Sequence, residues 1–189
     1  DKSSPLDHQE NITGLASPPP LEEAIRQSLK LFPTRRHWGL IYDPFEGSSV
    51  ELQQNFTRLA QAAGLTLSVV PVSSRGGPEA ALTALRTAQV QVAFIPPDQC
   101  SQTYAQPLLA LGQKRRLVVV NGNPRIAGPG AVLSVTLDYE ALGEQAAALA
   151  RRILAGAKPR AIPITQASPL KLEVDEALLN AWAGYPPGR

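Results

Sequence analysis

Polar side chains suited to gripping a small molecule gather in three short stretches of the chain. The first is Tyr42, Asp43, Glu46, Ser48 and Ser49, the second Asp98 and Gln99, and the third Asn121 and Asn123. Hydroxyls, amides and carboxylates of this kind offer hydrogen bonds in several directions. Bond-making chemistry asks for more. Asp43 and Glu46 share one loop and so have the elements of a general acid/base pair, but they serve equally as turn and ligand-contact groups. Asp98 is placed either to cap a following helix or to touch a ligand. Cys100 is either an inert thiol or one activated by a helix N-terminus. His8 and His37 stand in a polar leader and at a strand start, which leaves little for histidine chemistry. Ser168-Pro169-Leu170-Lys171 fits a Ser-x-x-Lys spacing but sits in a proline-containing, strand-like segment without its companion motifs, and no phosphate-binding loop, dinucleotide fingerprint or nucleophile elbow is found. The expectation is a binding rim with no catalytic residue, no metal and no cofactor.

The bulk properties agree with a folded binding module. Of 189 residues, 43% are hydrophobic and 18% charged, a globular balance. The net charge is +2. Basic pairs at Arg35/Arg36, Lys114/Arg115/Arg116 and Arg151/Arg152 are scattered along the sequence and lack interleaved aromatics, so nucleic acid is not an expected partner. Cys100 is the single cysteine, which excludes an internal disulfide and a cysteine-based zinc site. No stretch approaches the roughly 20 apolar residues of a membrane span. Methionine is absent, so the chain as written is expected to be a processed or partial product.

Stretches that bear these polar groups must be held by regular elements. Residues 1–20 read as an extended, proline-rich leader. Leu21, Ile25, Leu29 and Phe32 then mark a helix stopped by Pro33. His37–Tyr42 predicts a strand, followed by a helix striped by Leu52, Phe56, Leu59, Ala60 and Ala63, with Ser48 and Glu51 at capping-box spacing and Gly64 as its stop. The alternation continues with a strand at 65–70, a turn at 73–78, a helix through Leu82 and Leu85, a strand at 90–95, a helix from about 98 to 111 and a strand at 117–120. A strand at 131–137 leads into a helix capped by Asp138, with Leu142, Ala146, Leu149 and Ile153 in register. Residues 162–164 and a helix near 177–182 close the chain. Continuous apolar strands between helices predict an α/β, Rossmann-like parallel sheet with helices on both faces. In such sheets ligands sit beyond the carboxyl ends of the strands, where the three polar stretches fall.

Five collinear stretches resemble the ABC-importer substrate-binding proteins whose best-understood members take up tryptophan or tyrosine. Asn11-Ile12-Thr13-Gly14 is similar to that family's "N-V-T-G", and His37 to Ser49 to its strand and "Y-N-P-x-E-x-N-S" loop. Ile95-Pro96-Pro97-Asp98 is similar to its "v-P-t-D", Gly130 to Gly143 to its "G-a-l-a-s-l-G-v-D-Y-y-x-L-G", and Ile153 to Pro159 to its "I-L-x-G-x-K-P". The sequence departs from the pattern at Asp43, at Gly47-Ser48 and at Asn121-Gly122-Asn123.

The resemblance implies one lobe of a type I periplasmic binding fold, at residues 21–130. It further implies that the strand and helix of residues 131–165 would complete the other lobe, and that residues 166–189 form a C-terminal segment and helix. Deprived of that lobe, the 131–165 strand and helix are expected to fold onto the remaining sheet or to cover themselves with a second copy, as a homodimer. The resemblance implies non-catalytic recognition of a small, amino-acid-like ligand, an ABC permease as partner, and a periplasmic or exported location in a bacterium. A stand-alone sensory or regulatory ligand-binding domain is the alternative.

Overall fold

Strand residues with side chains pointing alternately up and down can bury both faces only if helices cover both. In the computed structural model of the chain, which describes residues 8–72, 77–166 and 169–183, that is the arrangement. The elements in chain order are β1 (Leu15–Ala16), α1 (Leu21–Leu31), β2 (His37–Tyr42), α2 (Gly47–Ala62), β3 (Thr66–Pro71), α3 (Gly77–Thr87), β4 (Val92–Ile95) and α4 (Ser101–Arg115). They continue as β5 (Val118–Asn121), β6 (Leu133–Leu137), α5 (Tyr139–Leu154), a 3-10 turn at Pro159–Ala161, β7 (Thr165–Gln166), β8 (Leu170–Val174) and α6 (Glu176–Ala183).

The chain divides into two compact units, one from residues 20–136 and 172–189, the other from residues 1–19 and 137–171. The larger carries a sheet of strand order β3-β2-β4-β5-β6-β8. From β3 to β6 every pair is parallel. The final strand runs the other way: Asp175 N–H reaches Val132 O at one end and Asp138 N–H reaches Pro169 O at the other, both at 2.8–2.9 Å.

Period-two alternation divides the core. Trp38 and Leu40 of β2, Phe94 of β4 and Val118 and Val120 of β5 point to the face covered by α1, α2 and Trp182 of α6. Ile41, Ala93, Ile95 and Val119 point to the face covered by α3 and α4. On the first face Phe56 stacks on Phe94 with ring centroids 4.7 Å apart and leans on Trp38 at 5.9 Å.

The smaller unit pairs β1 with β7 in parallel and packs Leu15, Leu137, Leu142 and Leu170 together. Asp138 caps α5 as its position predicts, accepting from the N–H groups of Glu140 and Ala141 at 3.1 Å. Along α5 only Leu142 of the apolar stripe is buried; Leu149 and Ile153 are half-buried and Ala146 is exposed.

Several sequence expectations change. Helix α2 begins at Gly47, one residue ahead of Ser48, so Ser48 lies inside the first turn and cannot form the capping box with Glu51. Its hydroxyl donates to Glu46 Oε1 instead, at 2.7 Å. Residues 162–164 are irregular and link the 3-10 turn at Pro159–Ala161 to β7. Helix α4 starts later than Asp98 and runs on to Arg115. The strand at 131–137 lies beside β5 in the large sheet. β8 falls on the segment read as strand-like around Pro169-Leu170-Lys171 and runs on to Val174. Residues 73–76 of the expected turn, Ser168 and residues 1–7 of the leader lie outside the described residues.

Because Phe56 bridges Trp38 and Phe94 with none of its own surface exposed, Phe56→Ala is expected to cost about 3–5 kcal/mol. Urea unfolding measures this; a loss below about 1 kcal/mol would mean the α2 face is not close-packed.

Candidate functional site

In the larger unit the chain winds outward from β2 in two directions. β3 is added on one side of β2, while β4, β5 and β6 are added on the other. The loops leaving the carboxyl ends of β2 and β4 therefore part to opposite faces, toward α2 and α4. That divergence opens a crevice at the switch point, where open α/β sheets take their ligands.

Each loop there is tied to the next through buried polar side chains. Ser49, in the first turn of α2, receives the N–H of Asp43 at 3.0 Å and donates its own hydroxyl to Asp98 Oδ2 at 2.6 Å. The second oxygen of Asp98 accepts from Ser101 N–H at 2.8 Å, which makes Asp98 a cap for α4. Ser101 returns its hydroxyl to Asp98 O at 2.8 Å. From the third loop Asn123 donates to Ser101 Oγ at 2.8 Å and to Asp98 O at 3.3 Å, and accepts from Arg125 N–H at 3.0 Å. Asn121 holds that loop in turn, accepting from Asn123 N–H and donating to Ile126 O. Ser49, Asp98, Ser101, Asn121 and Asn123 are all buried.

Two further features set the crevice floor. Gly122 approaches β4 so closely that a Cβ would come within 2.6 Å of Phe94 Cζ, and its N–H bonds Ile95 O at 2.9 Å. Tyr104 of α4, wholly buried, donates to Ile41 O at 3.1 Å and so anchors α4 to the end of β2.

The other sequence-named residues form the accessible part of the rim. Tyr42, Asp43 and Glu46 are half-buried, and Ser48 and Gln99 are exposed. Asp43 Oδ1 accepts from Phe45 N–H at 2.8 Å, turning the loop. Glu46 Oε1 accepts from Ser48 and, at 3.5 Å, from Gln99 N–H, linking the first and second loops at the surface. The structure thus brings all the sequence-named residues to one edge, with part of them accessible and part engaged below. Ser101 and Tyr104 were missed as members of this group. The Asp-x-x-Ser spacing from Asp98 was the available signal for Ser101, whereas nothing in the spacing around Tyr104 marks its hydroxyl as a link to β2.

Electrostatically the crevice is acidic and closed to thiol chemistry. Burial raises the Asp98 carboxyl above its ordinary value, the hydrogen bonds from Ser49 and Ser101 oppose this, and nearby Glu46 adds to it. Cys100 is pushed up to about 12, chiefly by burial and then by Asp98, Asp43 and Glu46, so it is a protonated packing residue at neutral pH. Tyr104 is likewise raised by burial and remains a donor. Among the described residues no group of His, Cys, Asp and Glu is placed to hold a metal ion.

The fold and crevice define a ligand-binding α/β unit, and comparison with known proteins gives the family. The chain belongs to the ABC transporter substrate binding protein family, whose model matches residues 4–181. No curated protein matches it. Among solved structures it is similar to a conserved domain protein from Vibrio cholerae O1 biovar El Tor (21% identity, TM-score 0.73), covering 93% of this chain and 59% of that one. It is also similar to an ABC domain from Streptococcus pneumoniae in complex with L-Trp (22% identity, TM-score 0.69), covering 90% and 59%. A LacI-family transcriptional regulator from Bifidobacterium animalis subsp. lactis shares the fold at 14% identity and TM-score 0.58, covering 85% and 62%. The chain therefore spans about 59% of the length of the first two, and at such identities the likeness is one of fold.

The raised Asp98 carboxyl has a pH consequence. Above an unperturbed value of 3.8 the unfolded chain releases a proton that the folded chain still holds. The contribution of this group to stability is therefore complete below that pH and is lost as pH rises through the folded value. Asp98→Asn cannot titrate and still accepts from Ser101 N–H. Relative to this variant, the urea midpoint of the wild type is expected to fall as the pH is raised from about 3.8 toward neutrality; a difference that stays flat or grows contradicts the assignment.

Proposed function

We propose that the chain is a solute-binding module of an ABC importer which recognises a small, amino-acid-like molecule without transforming it. The observation that carries this reading is the convergence of three loops on one buried polar cluster at the switch point of a chain that belongs to the substrate-binding family. Tyr42, Asp43, Glu46, Ser48 and Gln99 are proposed as the direct contacts. Ser49, Asp98, Asn121 and Asn123 are proposed to act at the same place, chiefly by fixing the loops, with any remaining hydrogen-bonding capacity turned to the ligand. An ammonium group suits the side lined by Asp43, Glu46 and Asp98, and a ligand carboxylate suits the N–H groups at the start of α2.

The corresponding partners are an ABC permease and a solute met outside the cytoplasmic membrane, in the periplasm or an exported setting. Residues 137–171 are proposed to belong to the second lobe of such a protein, and a homodimer that covers the exposed side of α5 is the matching proposal for assembly. A second reading is a sensory or regulatory ligand-binding domain, favoured by the shared fold of the LacI-family regulator.

Titration calorimetry with L-tryptophan, L-tyrosine and the other L-amino acids tests the proposal. One-site, saturable binding is expected, weakened by about 1–3 kcal/mol in Glu46→Gln. No binding by any amino acid, or turnover of a bound compound, would contradict it.

A further inference from the structure

The edge of the large sheet opposite the crevice is made of the segments that end each helix and begin the next strand, and it is basic. Lys30, Arg35 and Arg36 lead from α1 into β2, Arg86 closes α3, and Lys114, Arg115 and Arg116 lead from α4 into β5. The strand register sets these segments side by side, with Trp38 opposite Val92 and Val92 opposite Val118. Hydrogen bonds fasten them together. Gln91 Oε1 accepts from the N–H groups of Arg36 and His37 at 2.9 and 3.1 Å, and Arg35 Nη1 donates to Arg116 O at 3.4 Å. Arg86 and Lys114 line one groove between α3 and α4.

No acidic residue occurs in 30–37, 61–66, 86–91 or 112–118. The acids about this edge are Glu23, which faces Lys30 on α1, Glu79, which lines the groove of Arg86 and Lys114, and Glu173, Asp175 and Glu176, which flank it beyond β6 at β8 and α6, where Asp175 caps α6 through Leu178 N–H. Arg36, Arg86, Lys114 and Arg115 are exposed and make no ion pair among the described residues. Arg35 lies beneath them, buried with its guanidinium 5.5 Å from the Phe32 ring centroid, and adds its charge to the same field.

Leu82, Pro107 and Leu111 line the groove between α3 and α4, but no large apolar side chain stands exposed in these segments. The large exposed hydrophobic residues are Ile12, Phe45, Tyr139, Leu154, Leu172 and Val174, none of them in these segments. A protein interface draws its affinity from buried aromatic and aliphatic residues at its centre. Single-stranded nucleic acid is held on exposed aromatic platforms. A row of arginine and lysine with neither fits a surface dense in phosphate, to which each basic residue adds roughly fivefold in affinity.

We propose that this edge is a docking surface for an anionic phospholipid bilayer, held by Arg36, Arg86, Lys114 and Arg115 against the headgroup phosphates. Binding is electrostatic and peripheral, with no segment inserted, and it leaves the crevice at the far edge of the unit.

Co-sedimentation of the full chain with vesicles of phosphatidylcholine alone, or of equal parts phosphatidylcholine and phosphatidylglycerol, tests this. At low salt only the phosphatidylglycerol vesicles are expected to carry the protein down, and high salt is expected to release it. The triple variant Arg86→Gln, Lys114→Gln, Arg115→Gln is expected to lower the partition coefficient about a hundredfold, at roughly fivefold per charge. Equal sedimentation with both vesicles, none with either, or an unaffected folded variant would overturn the proposal. Duplex DNA displacing the protein from vesicles at matched phosphate concentration would overturn it too, by assigning the surface to nucleic acid. The lipid and salt dependence of the wild type decides the matter even if the variant does not fold.

Discussion

Asp98 is a carboxylate with almost no access to water, and a charge or dipole in that position is tolerated only if its oxygens are hydrogen-bonded. Oδ2 takes the hydroxyl of Ser49, Oδ1 takes the backbone of Ser101, and its carbonyl takes Ser101 and Asn123. Those partners come from the start of α2, the start of α4 and the loop after β5. The Asp98 side chain thus joins the starts of α2 and α4, and its backbone carbonyl brings in the loop after β5, so that one residue obliges three separately threaded segments to meet. Were any of them displaced, the cost would be that of an unsatisfied buried polar group rather than of one lost contact.

The constraint matters because the crevice belongs to the architecture more than to any single loop. The change of winding direction at β2 parts the loops, and packing on both faces holds α2 and α4 too firmly to close the gap: Phe56 against Phe94 on one side, Tyr104 and Leu108 on the other. A gap of that kind would collapse or fill with disordered chain without internal bonds. The polar cluster keeps it open and shaped, while Tyr42, Glu46, Ser48 and Gln99 remain at its lip. The same threading that sends the acidic loops to one edge sends the basic helix ends to the other. Charge is segregated along the strand direction although the sequence scatters it.

Much of this was legible in the residues. The strands at 37–42 and 92–95 are short apolar runs bounded by polar turns, and such runs between striped helices leave few options besides a parallel sheet. The loop residues at the carboxyl ends could be named because the rule locating them needs only the strand boundaries. What could not be read was which polar side chains point inward. Asp98 had two equal readings, and only the packing of α4 shows that it caps a helix and bridges two other loops at once. Ser48 looked like a cap because its spacing to Glu51 was right, but the flexible Gly47 lets the helix start one residue earlier. β8 was legible only as a strand-like stretch around Pro169-Leu170-Lys171, because it alternates Leu170, Leu172 and Val174 with Lys171 and Glu173 at the sheet's exposed flank, where period-two signals are short and weak. Its partner was unknowable until β6 was placed.

The central claim is that the Asp98 cluster is a fixed part of the fold and not a mobile set of loops. Three backbone N–H groups report on it directly, because each is bonded to a side chain of the cluster: Asp43 to Ser49 Oγ, Ser101 to Asp98 Oδ1, and Asn123 to Asn121 Oδ1. Amide hydrogen exchange resolved at these positions separates the two states. The account predicts that they exchange as slowly as the amides of β4, through opening of the whole unit. Exchange at the rate of an unstructured peptide, while β4 stays protected, would contradict it.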